Sequence, residues 1–239
     1  MHYLFIFTAT LLAAFTQSIS GFGLASVSMP ILLFSGFRIQ TASPYVALMS
    51  ILPELILLTY YRKALNPGAV VRLIAASLVG IVIGVISLDY LNETLALLLL
   101  GAVLVIYSMY ALLQLRLPTL EHPLWAYLTG AIAGFLGGAF NTTGPPVIIY
   151  GHSRGWTPPE FKSNLQGFFV VNTIVIAVVH ALRHNLTPEI WQYYLWAGLP
   201  AIAIGLVSGI ALDKYIHPQL FRKIVLIALA LSGFSLIFG

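Results

Sequence analysis

Thr16-Gln17-Ser18-Ile19-Ser20-Gly21-Phe22-Gly23 and Asn141-Thr142-Thr143-Gly144-Pro145-Pro146 decide the fold of this chain. Each stretch interrupts a long apolar segment with glycine, proline and small polar residues. Gly23 and Gly144 lie 121 residues apart, and the same offset carries Asn66-Pro67 onto Thr187-Pro188 and Gly84 onto Gly205. The second half therefore repeats the first. In a membrane protein, Gly/Pro-interrupted segments at matching places in two halves point to a transport site.

Composition sets the class. Of 239 residues, 59% are hydrophobic and 8% are charged. Apolar runs near membrane-spanning length follow one another from end to end, as in an all-α polytopic membrane protein. The net charge of +4 is spread over short loops, so it does not indicate a nucleic-acid partner. Cysteine is absent, which excludes disulfides and cysteine metal sites. Residues 1–14 look like a signal peptide in hydropathy alone, but they carry no Lys or Arg. Their repeat equivalent, 124–139, sits in mid-chain, where a removable leader has no reason to recur.

Hydropathy gives eight apolar blocks. The first repeat, 1–118, holds a broken hairpin at 3–35 and spans at 42–61, 69–88 and 94–115. The second, 119–239, holds a broken hairpin at 124–150 and spans at 162–182, 192–212 and 218–238. The separators carry loop chemistry: Arg62-Lys63 with Asn66-Pro67-Gly68, Asp89 with Asn92-Glu93, Arg116 to Pro123, Arg183 to Pro188, and Asp213 to Pro218.

Charge counting selects the topology. If every block crosses once, the eleven Lys and Arg residues divide five against six, with none of the usual cytoplasmic excess. Residues 3–17 make only ~22 Å of helix, short of a ~30 Å hydrocarbon core. If each broken block instead returns to its own side, each half has an odd number of crossings and the two repeats are inverted. The division becomes nine against two, with only Arg38 and Arg183 on the sparse side. Both termini then lie outside the cytoplasm. Two short full crossings per block give the same parity. Trp125, Trp156, Trp191 and Trp196 fall near predicted span ends, where indole favours the interface.

Irregular backbone at membrane depth survives where protein or a water-filled cavity surrounds it, so the breaks are expected to wall a cavity. Pro145 suits the first turn of a new helix, and Asn141, Thr142 and Thr143 can cap that helix or reach the cavity. Gln17, Ser18, Ser20, Gly21 and Gly23 occupy the matching place in the first half. A half-helix N-terminus presents free N–H groups and the positive end of the dipole. Two such ends, with Gly144 opening the second, suit a small divalent or sulfonate-type anion. The competing reading is that these residues only cap broken helices and let helices approach closely.

Glu54, after Pro53, is the one carboxylate well inside a span. An ionisable group there is a functional candidate, here for proton coupling, unless it is simply neutral or paired with Arg62 or Lys63. Its repeat equivalent, Val175, is apolar. Asn164 and Gln166 lie near one end of their span and Asn172 near mid-depth, facing a cavity or another helix. Lys162 and Arg154 flank that end as anion attractors or topology markers. His180 and His184 have no third ligand at metal spacing, so neither a metal nor a cofactor is expected. Tyr45, Tyr60, Tyr61 and Tyr150 read as interface or packing residues.

These features resemble the sulfite exporter TauE/SafE family of membrane permeases over nearly the whole chain. The resemblance rests on Gly21-Phe22-Gly23 with Ser28-Met29-Pro30, on Gly134-Phe135-Leu136-Gly137-Gly138 leading to Gly144-Pro145-Pro146, and on Phe161-Lys162-Ser163-Asn164-Leu165. It implies a multi-pass inner-membrane secondary transporter, an exporter of sulfite, sulfoacetate or another organosulfonate, with the anion held between the breaks. Ser18 and Ser20 stand where further glycines are common in the family, and their hydroxyls would add hydrogen bonds to the ligand. The implied partners are the small anion and the lipid bilayer; a homodimer through small-residue helix faces is left open. A passive anion channel is an alternative. A lipid-pyrophosphate phosphatase or an intramembrane serine protease is a weaker one, because hydrolysis needs acid, base or cationic groups and neither break contains Asp, Glu, His, Lys or Arg.

Overall fold

The computed structural model describes residues 2–115 and 118–238; Arg116, counted above among the basic loop residues, lies outside them. Among the described residues every secondary-structure element is a helix. Helix α1 spans His2–Ser20, α2 Leu24–Phe34, α3 Ile39–Tyr61, α4 Pro67–Ser87 and α5 Glu93–Leu112. The second half holds α6 Pro123–Phe140, α7 Gly144–Ser153, α8 Pro158–Leu182, α9 Pro188–Tyr193 and, after a wide π turn over Tyr194–Gly198, α10 Leu199–Leu212, then α11 Pro218–Phe238. Eight helices are long and apolar enough to cross a membrane. Large aliphatic side chains such as Val79, Ile106, Val207 and Leu231 cover the exterior, while Gln17, Asn141, Gln166, Asn172 and His180 are buried. That inversion of the soluble pattern is what a lipid solvent selects.

Several helices begin earlier than hydropathy places them. Pro67, Pro123 and Pro188, which read as loop punctuation, are each a first helical residue, as are Pro158 and Pro218. At that position the missing N–H costs nothing and the ring presets φ. The residue before supplies the cap: Asn66 Oδ1 accepts from Ala69 N at 3.2 Å, and Thr157 forms a capping box with Glu160. Trp125 and Trp191 lie in first turns and Trp156 in a connection. Trp196 departs from its expected place, because it sits in the π turn, ~12 Å along its helix.

Both broken blocks fold back on themselves. The ring of His2 meets that of Phe37 at 5.1 Å, and Arg154 Nη1 donates to Leu120 O at 3.2 Å. Each block therefore ends beside its own start. The arms are unequal. The 19 residues of α1 make ~28 Å of helix and the 11 of α2 only ~16 Å. The expected stop at residue 17 is corrected: α1 runs on to Ser20. Ser18 Oγ donates to Phe15 O at 2.8 Å and Ser20 Oγ to Thr16 O at 2.7 Å, so these hydroxyls bond back into the helix. The break itself is Gly21 to Gly23, and both glycines have left-handed φ (78° and 100°).

With the hairpins closed, the loops 62–66, 154–157 and 213–217 share one face. There Lys162 Nζ donates to Tyr61 Oη at 3.3 Å, and Asn66 N to Asn164 Oδ1 at 2.9 Å. The loops 35–38, 88–92 and 183–187 share the other, where Arg183 pairs with Asp89 and the rings of Tyr3 and Tyr193 lie 5.3 Å apart.

Helix pairing crosses between the halves. Helix α4 packs on α6, α10 on α1, α3 on α8 and α5 on α11. Glycine makes the closest approaches possible. A Cβ on Gly80 or Gly84 would fall within 3.0 Å of the α6 backbone, and one on Gly130, Gly134 or Gly138 within 3.0 Å of the α4 backbone. Gly205 meets α1 in the same way, at 2.7 Å from Leu11 O. Such backbone-to-backbone seams supply van der Waals contact where lipid offers no hydrophobic drive.

Candidate functional site

The two breaks meet around one chamber of about 20 Å³, lined from the first break by Gln17 and Phe22 to Ser26, and from the second by Asn141 and Thr143 to Pro145. Glu54, Tyr107, Ile148 and Phe169 complete it. That volume holds about one water, so the chamber must widen to admit a solute.

The first break is the richer in donors. Val27 N makes the first intrahelical bond of α2, to Gly23 O at 2.8 Å. The N–H groups of Ala25 and Ser26 precede it and have no intrahelical acceptor. Leu24 N donates to Gln17 Oε1 at 3.1 Å. This aims Gln17 across the break, with its Nε2 buried and without a partner. The second break is not its equal. Helix α7 opens on Gly144-Pro145-Pro146, and two prolines remove two of the N–H groups a helix start normally offers. Its dipole remains favourable to an anion, but most free donors belong to α2 and Gln17.

Asn141 ends α6 in the left-handed conformation (φ 54°) that asparagine tolerates. Its N–H donates to Gly137 O at 2.7 Å and that of Thr142 to Leu136 O at 3.2 Å. Asn141 Nδ2 donates to Ser43 O at 2.7 Å and to Ser43 Oγ at 2.9 Å. Ser43 Oγ bonds His180 Nε2 at 3.3 Å, and His180 Nδ1 bonds Asn185 Nδ2 at 3.1 Å. A file of polar groups thus runs from the second break to the loop after α8. Asn141→Val is expected to cost about 3 kcal/mol, from strain at positive φ and from lost buried hydrogen bonds. Asn141→Gly, which keeps the backbone, should cost less. Unfolding midpoints in detergent check the order, and equal losses would contradict it.

The other expected ligands lie outside the chamber. Ser18 faces α10, where a Cβ on Gly209 would strike its side chain. Ser20 Oγ lies 2.6 Å from Phe22 O as well as within reach of Thr16 O, so its one proton, like that of Ser18, serves a backbone carbonyl. Gly21 O accepts from Gln166 Nε2 at 2.7 Å. Thr142 Oγ1 donates to Phe140 O at 3.1 Å. Asn164 is engaged with Asn66, and Asn172 Nδ2 donates to Phe168 O at 2.8 Å. Glu54 is buried in the chamber wall with Oε2 unpartnered; among the described residues it pairs with neither Arg62 nor Lys63. Tyr107 lines the chamber although the sequence reading passed over it. Two phenols, Tyr107 and Tyr110, in the mostly aliphatic α5 were the available signal.

A lipid-facing apolar exterior around a polar chamber between two broken helices defines a multi-pass membrane transporter. The chain belongs to the sulfite exporter TauE/SafE family, which it matches over residues 6–236. It is similar to the "Probable sulfite/organosulfonate exporter TauE" of Cupriavidus necator, 26% identical over 225 residues that cover 92% of this chain and 88% of that protein. No solved structure matches the chain.

Proposed function

We propose that this protein is a secondary transporter that exports a small sulfur-containing anion, sulfoacetate or another organosulfonate or sulfite, by alternating access. The observation that carries this reading is the meeting of both breaks at one chamber, with Gln17 Nε2 and the α2 N-terminus as free donors. The anion's oxygens take those donors, and Thr143 and Gly144 close the opposite wall. The reciprocal packing of α4 on α6 and α10 on α1 supports two inverted repeats, 1–118 and 119–239, that rock against each other. The excess of Lys and Arg on one face supports placing that face in the cytoplasm of an inner-membrane protein, with both termini opposite. Glu54, in the same wall, couples transport to protons.

The test is thermal unfolding of detergent-purified protein against sulfoacetate, taurine, isethionate, sulfite, thiosulfate, sulfate, phosphate and acetate. A ligand of the folded state raises apparent stability by mass action. A saturable rise with one sulfur anion is expected. Gln17→Met should weaken it about tenfold, the worth of a hydrogen bond to a charged group. Ser20→Ala should leave it nearly unchanged. A flat response from folded protein would sink the sulfur-anion reading.

A further inference from the structure

A second cavity, of about 660 Å³, opens between the C-terminal ends of α5 and α7 and the N-terminal end of α11. Tyr110, His152, Ser153, Gln219, Arg222 and Lys223 are among its walls. It lies on the face that carries most of the basic residues. Its size is that of a small-molecule pocket, far larger than the chamber between the breaks.

Three observations give it a chemistry. Among the described residues, neither Arg222 nor Lys223 has a carboxylate within 4.0 Å, so both charges are available to a ligand. Ser153 Oγ is buried in the wall and has no hydrogen-bond partner; the residue is only 6% exposed. Guanidinium, ammonium and hydroxyl together present donors and no competing negative charge, which suits an oxyanion.

The cavity and the chamber are stacked. On α5, Tyr107 lines the chamber and Tyr110 the cavity; on α7, Ile148 lines the chamber and His152 the cavity. Each pair is about one helical turn apart, ~5 Å along the axis. Tyr107, in the chamber wall about one turn from the cavity, is 2% exposed, with a buried hydroxyl that has no partner and a ring edge-on to Phe22 at 6.3 Å.

We propose that this cavity is a second oxyanion site, which concentrates the substrate anion at the basic face and hands it past Tyr107 to the chamber between the breaks. The delivery role rests on the transport reading above; the anion site does not. Cationic walls in a cleft raise local anion concentration and capture rates by one to three orders of magnitude. A phospholipid headgroup carries similar oxyanion chemistry, so the test must separate the two sources.

Because the chain has no cysteine, one thiol can be placed in the cavity. The full-length Gln219→Cys protein, in phosphatidylcholine vesicles, is labelled with 2-sulfonatoethyl methanethiosulfonate and with its trimethylammonium counterpart. Glu121→Cys, in the exposed loop before α6, is the reference. The sulfonate reagent should be favoured in the cavity by about tenfold over the reference. Adding Arg222→Gln with Lys223→Gln should erase that preference, and free sulfoacetate should slow the labelling saturably. A preference unmoved by the charge removal, or no protection by sulfoacetate, overturns the proposal. Protection by phosphatidylglycerol alone assigns the cavity to a lipid headgroup and overturns it too. Flux in the same vesicles separates the two readings. The charge-removed protein, without the added thiol, should show a half-saturation raised about tenfold from the basic face only, with its maximal rate retained. A wild-type protein without saturable sulfoacetate flux would remove the transport reading and the delivery role, and labelling would still decide the anion site.

Discussion

Glu54→Gln is expected to abolish the pH dependence of anion binding while keeping the affinity that the wild-type protein has at low pH. Glu54 shares the chamber wall with Gln17 and the α2 N-terminus, and its Oε2 has no hydrogen-bond partner. An anion beside an ionised carboxylate is repelled by about 4 kcal/mol at 4 Å and an effective dielectric constant near 20. That is close to a thousandfold in affinity, so under the proposed coupling anion and proton are expected to bind together. Linkage makes the effect reciprocal. Binding the anion drives proton uptake by the Glu54 carboxylate, and anion affinity falls by up to about tenfold per pH unit once that carboxyl ionises. Glutamine is neutral at every pH and mimics the protonated form. Calorimetric titration in buffers of different ionisation enthalpy counts the protons. About one per anion is expected for the wild type and none for Glu54→Gln. Proton uptake that survives in the variant would place the coupling group elsewhere.

The largest effect on stability is expected at the seam between α4 and α6. A Cβ on Gly134 would meet Ser77 Cα at 2.7 Å and Ser77 C at 2.8 Å, all backbone. Backbone cannot rotate away as a side-chain tip can, so the helices must separate along the seam. Gly134→Ala should therefore cost about 2 kcal/mol, and Gly134→Val should exceed 3 kcal/mol and deplete folded protein. Gly84→Ala, whose Cβ would lie 2.9 Å from Ala139 N, should behave alike. Val79→Ala, on the lipid face at 63% exposure, should change little. Unfolding midpoints and the monodisperse fraction in detergent read both effects. A Gly134→Val protein as stable as wild type would mean that the helices do not approach this closely.

Some of this architecture was legible in the residues. The number and order of the apolar helices follow from hydropathy, and the breaks announce themselves through Gly21, Gly23, Gly144 and Pro145. Both are local properties, carried by side-chain transfer energies and by φ restrictions within a few residues. The pairing of Gly84 with Gly205 was visible as a repeat, and each proves to sit on a seam with the opposite half. Prolines such as Pro67 and Pro188 misled the boundaries, because the same residue that ends a helix from within also starts one well.

The chamber was legible only in part. Gln17, Gly23, Asn141, Thr143, Gly144 and Pro145 do gather there, and so does Glu54. Ser18, Ser20 and Thr142 do not, since a hydroxyl's choice between a ligand and a nearby carbonyl depends on the rotamer that packing leaves it. The bond from Asn141 to Ser43 joins residues 98 apart, and that from Gln166 to Gly21 joins residues 145 apart. What the sequence by itself determined is which segments are apolar helices and where their backbones must break. Tertiary structure alone decided which polar side chains face the chamber, why Glu54 belongs to it, and that Arg222 and Lys223 wall a cavity. Those outcomes depend on the rotation and close approach of helices far apart in the chain, and neither hydropathy nor spacing encodes such contacts.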